Sequence, residues 1–212
     1  AHQMETTFMD TYGWTDYRIY QKGTCIDNSV FTPDEELLPG VMANAWRADN
    51  YGLVPWSAHG HPRGLGIGYD DDVPGHHCGT MFNTNDIWSF DNSNPSLVFQ
   101  FSCSTAKPEI FENTANLLLE RGGIGVIGAT RNSRYIEGWT SPVGKWHGGD
   151  MSYWTNRALV VRNFEYCKAM SVARSEHTLH NINFMVHNYF GDPQIHHLQH
   201  GNTSTYYVDG TN

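Results

Sequence analysis

Several things are scarce in this chain, and each scarcity removes a class of function. Lys and Arg number 13 against 22 Asp and Glu, leaving a net charge of -9. Non-specific nucleic-acid binding needs a basic face that neutralises phosphates, so nucleic acid is excluded as a partner. No apolar run approaches the roughly 18 residues of a membrane-spanning helix, so no membrane span is expected. The four cysteines, Cys25, Cys78, Cys103 and Cys167, form no CxxC pair, which removes zinc ribbons and thioredoxin-type redox motifs. HExxH is missing as well; Glu176-His177-Thr178-Leu179-His180 puts its Glu outside the His pair, which is not a zincin arrangement. There is no internal repeat, and Asn202-Thr203-Ser204 is the sole glycosylation-type triplet without proline. A signal-peptide pattern is also absent, and the opening on Ala1 reads as a processed or trimmed product.

What is present suits a folded domain: 212 residues, 39% hydrophobic and 13% aromatic, enough to bury a sizeable core. Two short apolar runs end abruptly in reactive side chains. Gly52-Leu53-Val54-Pro55-Trp56-Ser57-Ala58 leads into His59-Gly60, and Leu97-Val98-Phe99-Gln100-Phe101-Ser102 leads into Cys103. Such runs bounded by turn residues read as buried strands of a parallel sheet. Sites in open α/β sheets form beyond the carboxyl ends of the strands. Neighbouring strands with these endings therefore bring an imidazole beside a thiol, the pairing of a nucleophile with its general base.

The rest of the chain gives a coarse outline. Met4 to Trp14 reads as the end of a helix and Tyr17 to Tyr20 as a short strand. Thr32-Pro33-Asp34-Glu35 has the pattern of a helix start, running on to about Asp49 through a weak point at Gly40. Residues 60–95 are rich in loop formers, and Pro108 to Arg121 reads as a helix with Ile110, Phe111, Ala115 and Leu118 on one face. With the buried strand Ile124 to Ala129 this closes a βαβ unit. Helices are expected over Met151 to Arg162, between Glu165 and His180, and around Ile182 to Tyr189; a strand begins near Thr205.

Cys25 and Cys167 read as small buried hydrophobes or disulfide partners; a bridge among Cys25, Cys78 and Cys167 is left unassigned. Cys103 differs, because an apolar strand stops there and the polar turn Ser104-Thr105-Ala106-Lys107 begins. The helix start near Pro108 and the Lys107 charge both favour a thiolate. Cys103 would attack a carbonyl, His59 would manage the proton, and the amides of Gly60 and Cys103 would hold the oxyanion. Such a dyad requires no cofactor. Two readings from other classes stand beside it. One is a noncatalytic, peptidase-like binding or structural subunit. The other is a metal-binding protein using the His-rich loop, with His59, His61, His76, His77, Cys78 and the run Asp70-Asp71-Asp72 as ligands.

The ordered set of motifs resembles the gingipain-type (C25-like) cysteine peptidases of the caspase-like clan. Beyond His59-Gly60 and Cys103, the likeness rests on Asn116-Leu117-Leu118-Leu119, on Gly122-Gly123-Ile124-Gly125-Val126-Ile127-Gly128-Ala129-Thr130, on Ser133, on Trp139-Thr140-Ser141-Pro142, and on Tyr189-Phe190-Gly191-Asp192-Pro193. The resemblance implies a caspase-like three-layer α/β sandwich, a mostly parallel sheet with helices on both faces. It makes residues 1–195 the peptidase domain, lacking its first strand and N-terminal subdomain, and 196–212 a polar tail or the start of a following module. It also implies cysteine endopeptidase activity on protein or peptide substrates through a thioacyl-enzyme, with His59 as base, Cys103 as nucleophile and Trp139 as a wall of the S1 pocket. An extracellular or envelope location, a second chain from the same precursor, and a structural calcium at Asp70, Asp71 and Asp72 come with it. A basic P1 residue is a further expectation, from the acidic balance and the aspartate run.

Overall fold

The computed structural model describes residues 8–20, 33–66, 79–90, 92–133, 148–176, 185–200 and 203–207. The elements in chain order are β1 (Ile19–Tyr20), β2 (Glu35–Glu36), α1 (Val41–Ala48), β3 (Leu53–Ser57), β4 (His59–His61), β5 (Gly64–Gly66), β6 (Thr80–Asn83) and α2 (Thr84–Trp88). Then follow β7 (Ser96–Phe101), α3 (Thr114–Glu120), β8 (Gly123–Ala129), α4 (Gly148–Arg162), α5 (Tyr166–Glu176), β9 (His187–Gly191), β10 (His196–His200) and β11 (Thr203–Tyr207).

Every residue of β7 is buried, as a parallel strand covered on both faces must be. It lies inside the sheet β3-β7-β8-β9, in which β3, β7 and β8 run parallel and β9 runs antiparallel at the edge. The alternating side chains of β7 divide between two cores. Leu97, Phe99 and Phe101 pack with Met151 and Leu159 of α4 and with Tyr166, Ala169 and Met170 of α5. Val98 points the other way, with Val126, toward Met42, Ala43 and Trp46 of α1 and Ala115, Leu117 and Leu118 of α3. The result is the expected α/β fold: three layers, a mostly parallel sheet, helices on both faces. An aromatic group closes the α1 side, where Trp46 stacks on Phe90 at 5.1 Å and Trp56 meets Phe82 edge-on at 5.3 Å.

Several local expectations are corrected. The helix predicted from Thr32 does not form over 33–36. Instead Asp34 is captured by Arg18, whose amide and Nε donate to its Oδ2 at 2.8 and 3.1 Å, and Glu35–Glu36 pairs in parallel with Ile19–Tyr20. The helix starts only after Gly40, whose φ of 84° is left-handed and comfortable for glycine alone. Near the N-terminus the expected helix end is present over its described part: residues 8–12 are helical, finishing in a 3-10 turn stopped at Gly13. The stretch 60–95 contains a three-stranded sheet, β4-β5-β6, and α2, whose Asn83 and Asp86 form a capping box. Helix α3 is shorter than predicted. The Asn113 side chain caps it and also donates to Lys107 and Ile110 carbonyls at 3.2 and 2.8 Å, holding 108–112 as turns and leaving Phe111 79% exposed. Of the helix expected around Ile182 to Tyr189, residues 185–186 are helical, but the chain turns into strand β9 from His187, because Tyr189 and Phe190 pair with Ile127 and Val126 of β8. The strand near Thr205 is present, as half of the antiparallel hairpin β10-β11.

Candidate functional site

The two reactive sequence endings meet at the carboxyl rim of the sheet. Pairing of β3 with β7 continues one step past the strand, with Ala58 N donating to the Phe101 carbonyl at 3.2 Å. The chain then departs through His59 into β4. Gly60 lies so close to the end of β7 that a Cβ there would fall 2.6 Å from the Cys103 carbonyl oxygen, 2.7 Å from Ser102 Cβ and 2.9 Å from Cys103 N. Only glycine permits that approach. His59 is exposed and Cys103 half-buried, so both open toward solvent from adjoining segments of one rim.

The turn that carries Cys103 is tied to its surroundings at nearly every residue. Ser104 adopts a left-handed φ of 54°, uncommon for a residue with a Cβ. Its amide donates to the Arg131 carbonyl at 3.0 Å and its hydroxyl to Asn132 Oδ1 at 2.9 Å. Ala106 N donates to the Ala129 carbonyl at 2.9 Å, and Ala129 N to Thr105 Oγ1 at 3.4 Å. The buried Thr114 hydroxyl, at the first turn of α3, lies 3.2 Å from Gln100 Oε1 and 3.0 Å from the Thr105 carbonyl. Cys103 Sγ itself donates to the Ser133 carbonyl at 3.3 Å and sits 3.6 Å from Ser133 Oγ. At the rim's outer edge Arg131 grips Glu109 through two bonds of 2.6 and 3.2 Å. The Glu109 carboxyl titrates below its usual range, through its own backbone amide first and the Arg131 guanidinium after it. Pro62, in the turn between β4 and β5, accepts from Thr114 N at 2.8 Å, which binds the His59 segment to α3 as well.

Of the residues singled out from sequence, His59, Gly60 and Cys103 therefore share one rim, whereas Trp139, Asp70, Asp71 and Asp72 lie outside the described residues, as do His76, His77 and Cys78. Among the described residues no group of three or more His, Cys, Asp or Glu side chains could hold a metal ion. Cys167 is a free, half-buried thiol on α5. Sequence reasoning gave Ser133 no role and passed over the Ser104–Asn132 pair. The strand-end rule that pointed to Cys103 applies equally to the residues just past β8, and would have found them. A cleft of about 450 Å³ lined by Pro95, Leu119, Gly122, Ile124 and Asp192 lies at the opposite, amino end of β7 and β8, and holds no nucleophile.

The model of peptidase family C25 matches residues 3–197. A solved structure described as a protease is similar at 11% identity with a TM-score of 0.46, over 92% of this chain and 52% of that one. The chain thus spans about half of that structure's length. No curated protein matches it.

Proposed function

The chain belongs to peptidase family C25, and from that premise we propose that it is a cysteine endopeptidase in which Cys103 is the nucleophile and His59 the general base. The observation that carries this reading is the contact of Gly60 with the Cys103 backbone, which leaves no room for a Cβ and so holds His59 one residue from the nucleophile's turn. In the first step the Cys103 sulfur attacks the scissile carbonyl carbon while its proton passes to the imidazole. The oxyanion is met by the amides of Gly60 and Cys103, a contribution of about 3 kcal/mol per donor. The imidazolium then protonates the leaving amine, giving a thioacyl-enzyme. Water, deprotonated by the same imidazole, hydrolyses the thioester and restores the thiol. Protein or peptide is the substrate class.

Hydrolysis of unstructured peptides by wild type and Cys103→Ala tests this. The variant is expected to lose more than about a thousandfold in kcat/KM with no change in Tm, and iodoacetamide to inactivate wild type where a chelator does not. Full cleavage by Cys103→Ala would sink the reading. Loss of activity on chelation alone would favour a metal held by the His-rich loop. A chain that cuts no peptide at all would be a noncatalytic subunit.

A further inference from the structure

Cys103 Sγ has two contacts with one residue that the dyad leaves without a task. The Ser133 carbonyl accepts from the thiol at 3.3 Å, and the Ser133 hydroxyl lies 3.6 Å from the same sulfur. These atoms serve opposite ionisation states. A carbonyl oxygen accepts from a neutral S–H and offers nothing to a thiolate, whereas a hydroxyl can turn and donate to the anion. Hydrogen bonds to an ionised partner are the stronger kind. We propose that Ser133 is a third catalytic residue of this site: its carbonyl parks the neutral thiol, and its hydroxyl donates to the sulfur once the proton has left for His59. The inference rests on Cys103 being the nucleophile.

The segment is fixed well enough for the task. Ser104 N and Oγ bond to Arg131 and Asn132, the two residues before Ser133, at 3.0 and 2.9 Å, so sulfur and hydroxyl are carried by elements already joined. Among the described residues, the segments that meet at Cys103 carry these titratable and charged groups. His59 comes from β4 and Lys107 from the Cys103 turn; Arg131 comes from the segment after β8 and is engaged by Glu109. None of these is removed by substituting Ser133, so a change in the sulfur's titration on losing the hydroxyl reports on the hydroxyl.

The test is peptide-resolved labelling of Cys103 by iodoacetamide across pH, on the full chain, with Cys167 labelling as the control for an intact fold. Ser133→Ala is expected to move the labelling profile about one pH unit to the alkaline side, a roughly tenfold slower reaction at neutral pH, with the alkaline plateau unchanged. Ser133→Thr keeps the hydroxyl and is expected to overlay wild type. Ser133→Val has threonine's shape without the hydroxyl and is expected to follow the alanine variant, which separates hydrogen bonding from packing should alanine loosen the turn. Identical profiles for the threonine and valine variants would overturn the proposal, as would an unshifted alanine profile. A fully active Cys103→Ala enzyme would instead end the nucleophile reading, and the labelling profiles would still report on the Ser133 contact.

Discussion

Phe99 and Gln100 are neighbours on β7 and both are fully buried, yet they face different kinds of interior. Phe99 enters a layer of Leu97, Phe101, Ile127, Met151 and Leu159 that is apolar almost throughout. Its polar exceptions include the Tyr166 hydroxyl and His187, stacked at 6.1 Å from Phe99 and 5.6 Å from Phe101. Gln100 faces α3, where Thr114 and Thr105 join it in a buried hydrogen-bonded chain. On that side Trp56 Nε1, Gln100 Nε2 and Ser102 Oγ have no hydrogen-bond partner among the described residues. Burying polar atoms costs free energy unless each is satisfied, so these three atoms weigh against what this face adds to stability. What it supplies is direction: its bonds reach the Cys103 turn, and those of the apolar face do not. One strand thus divides its residues between holding the sheet together and aiming its own end.

That division can be broken from either side. The largest effect is expected from Phe99→Ala, which opens a cavity in the apolar layer and should cost about 3–5 kcal/mol in chemical denaturation; a loss below 1 kcal/mol would contradict the assignment. Gly60→Ala attacks the other side. Its new methyl has to displace Cys103 backbone atoms, so kcat/KM is expected to fall at least about a hundredfold while the melting temperature moves far less. Equal damage to stability and activity would erase the contrast. Thr114→Val keeps shape but unbinds Gln100 Oε1, and should cost about 1–3 kcal/mol together with a lower kcat, read from paired denaturation and kinetics.

The smallest effect is reserved for Tyr166→Phe, on the apolar side. The Tyr166 hydroxyl is buried with no hydrogen-bond partner among the described residues, and burial first, Tyr189 second, pushes its pKa well above the ordinary tyrosine value. The folded protein therefore keeps this proton to higher pH than the unfolded chain does. Stability from this group is complete below about pH 10 and declines as pH rises beyond it. Tyr166→Phe should be neutral or stabilising by up to about 1 kcal/mol at neutral pH, and should flatten the alkaline decline. A steeper decline in urea midpoints measured against pH would refute this.

The parts legible in the sequence were those whose cause is local. The mostly apolar runs of β7 and β8 identify buried parallel strands from composition alone, and the position of Cys103 follows from where the first of them stops. The N-terminal half was harder because its causes are distant. Asp34 looks like part of a helix start until Arg18 captures it, and Gly40 looks like a blemish within a helix until its left-handed backbone makes it the boundary. Tyr189 and Phe190 have helical spacing with their predecessors, but pairing with β8 overrides that preference. At the site, Cys103 and Gly60 were readable because each residue type is demanded by chemistry or space. Ser133 drew no role, because its contact with the sulfur spans 30 positions, although it lies where the strand-end rule looks once it is applied to β8.

The frame of the Cys103 turn is drawn from what comes later in the chain: Ala129, Arg131, Asn132 and Ser133 supply its carbonyl anchors, its Asn132 amide and its sulfur contacts. A polypeptide emerging from the ribosome therefore displays the thiol before it owns the cradle. On the proposed reading, the sulfur meets Ser133 only after the third parallel strand has been added. Released fragments ending before residue 129 are expected to label at Cys103 as an ordinary cysteine does, and the full chain differently. The order of synthesis thus acts as a built-in delay on the chemistry.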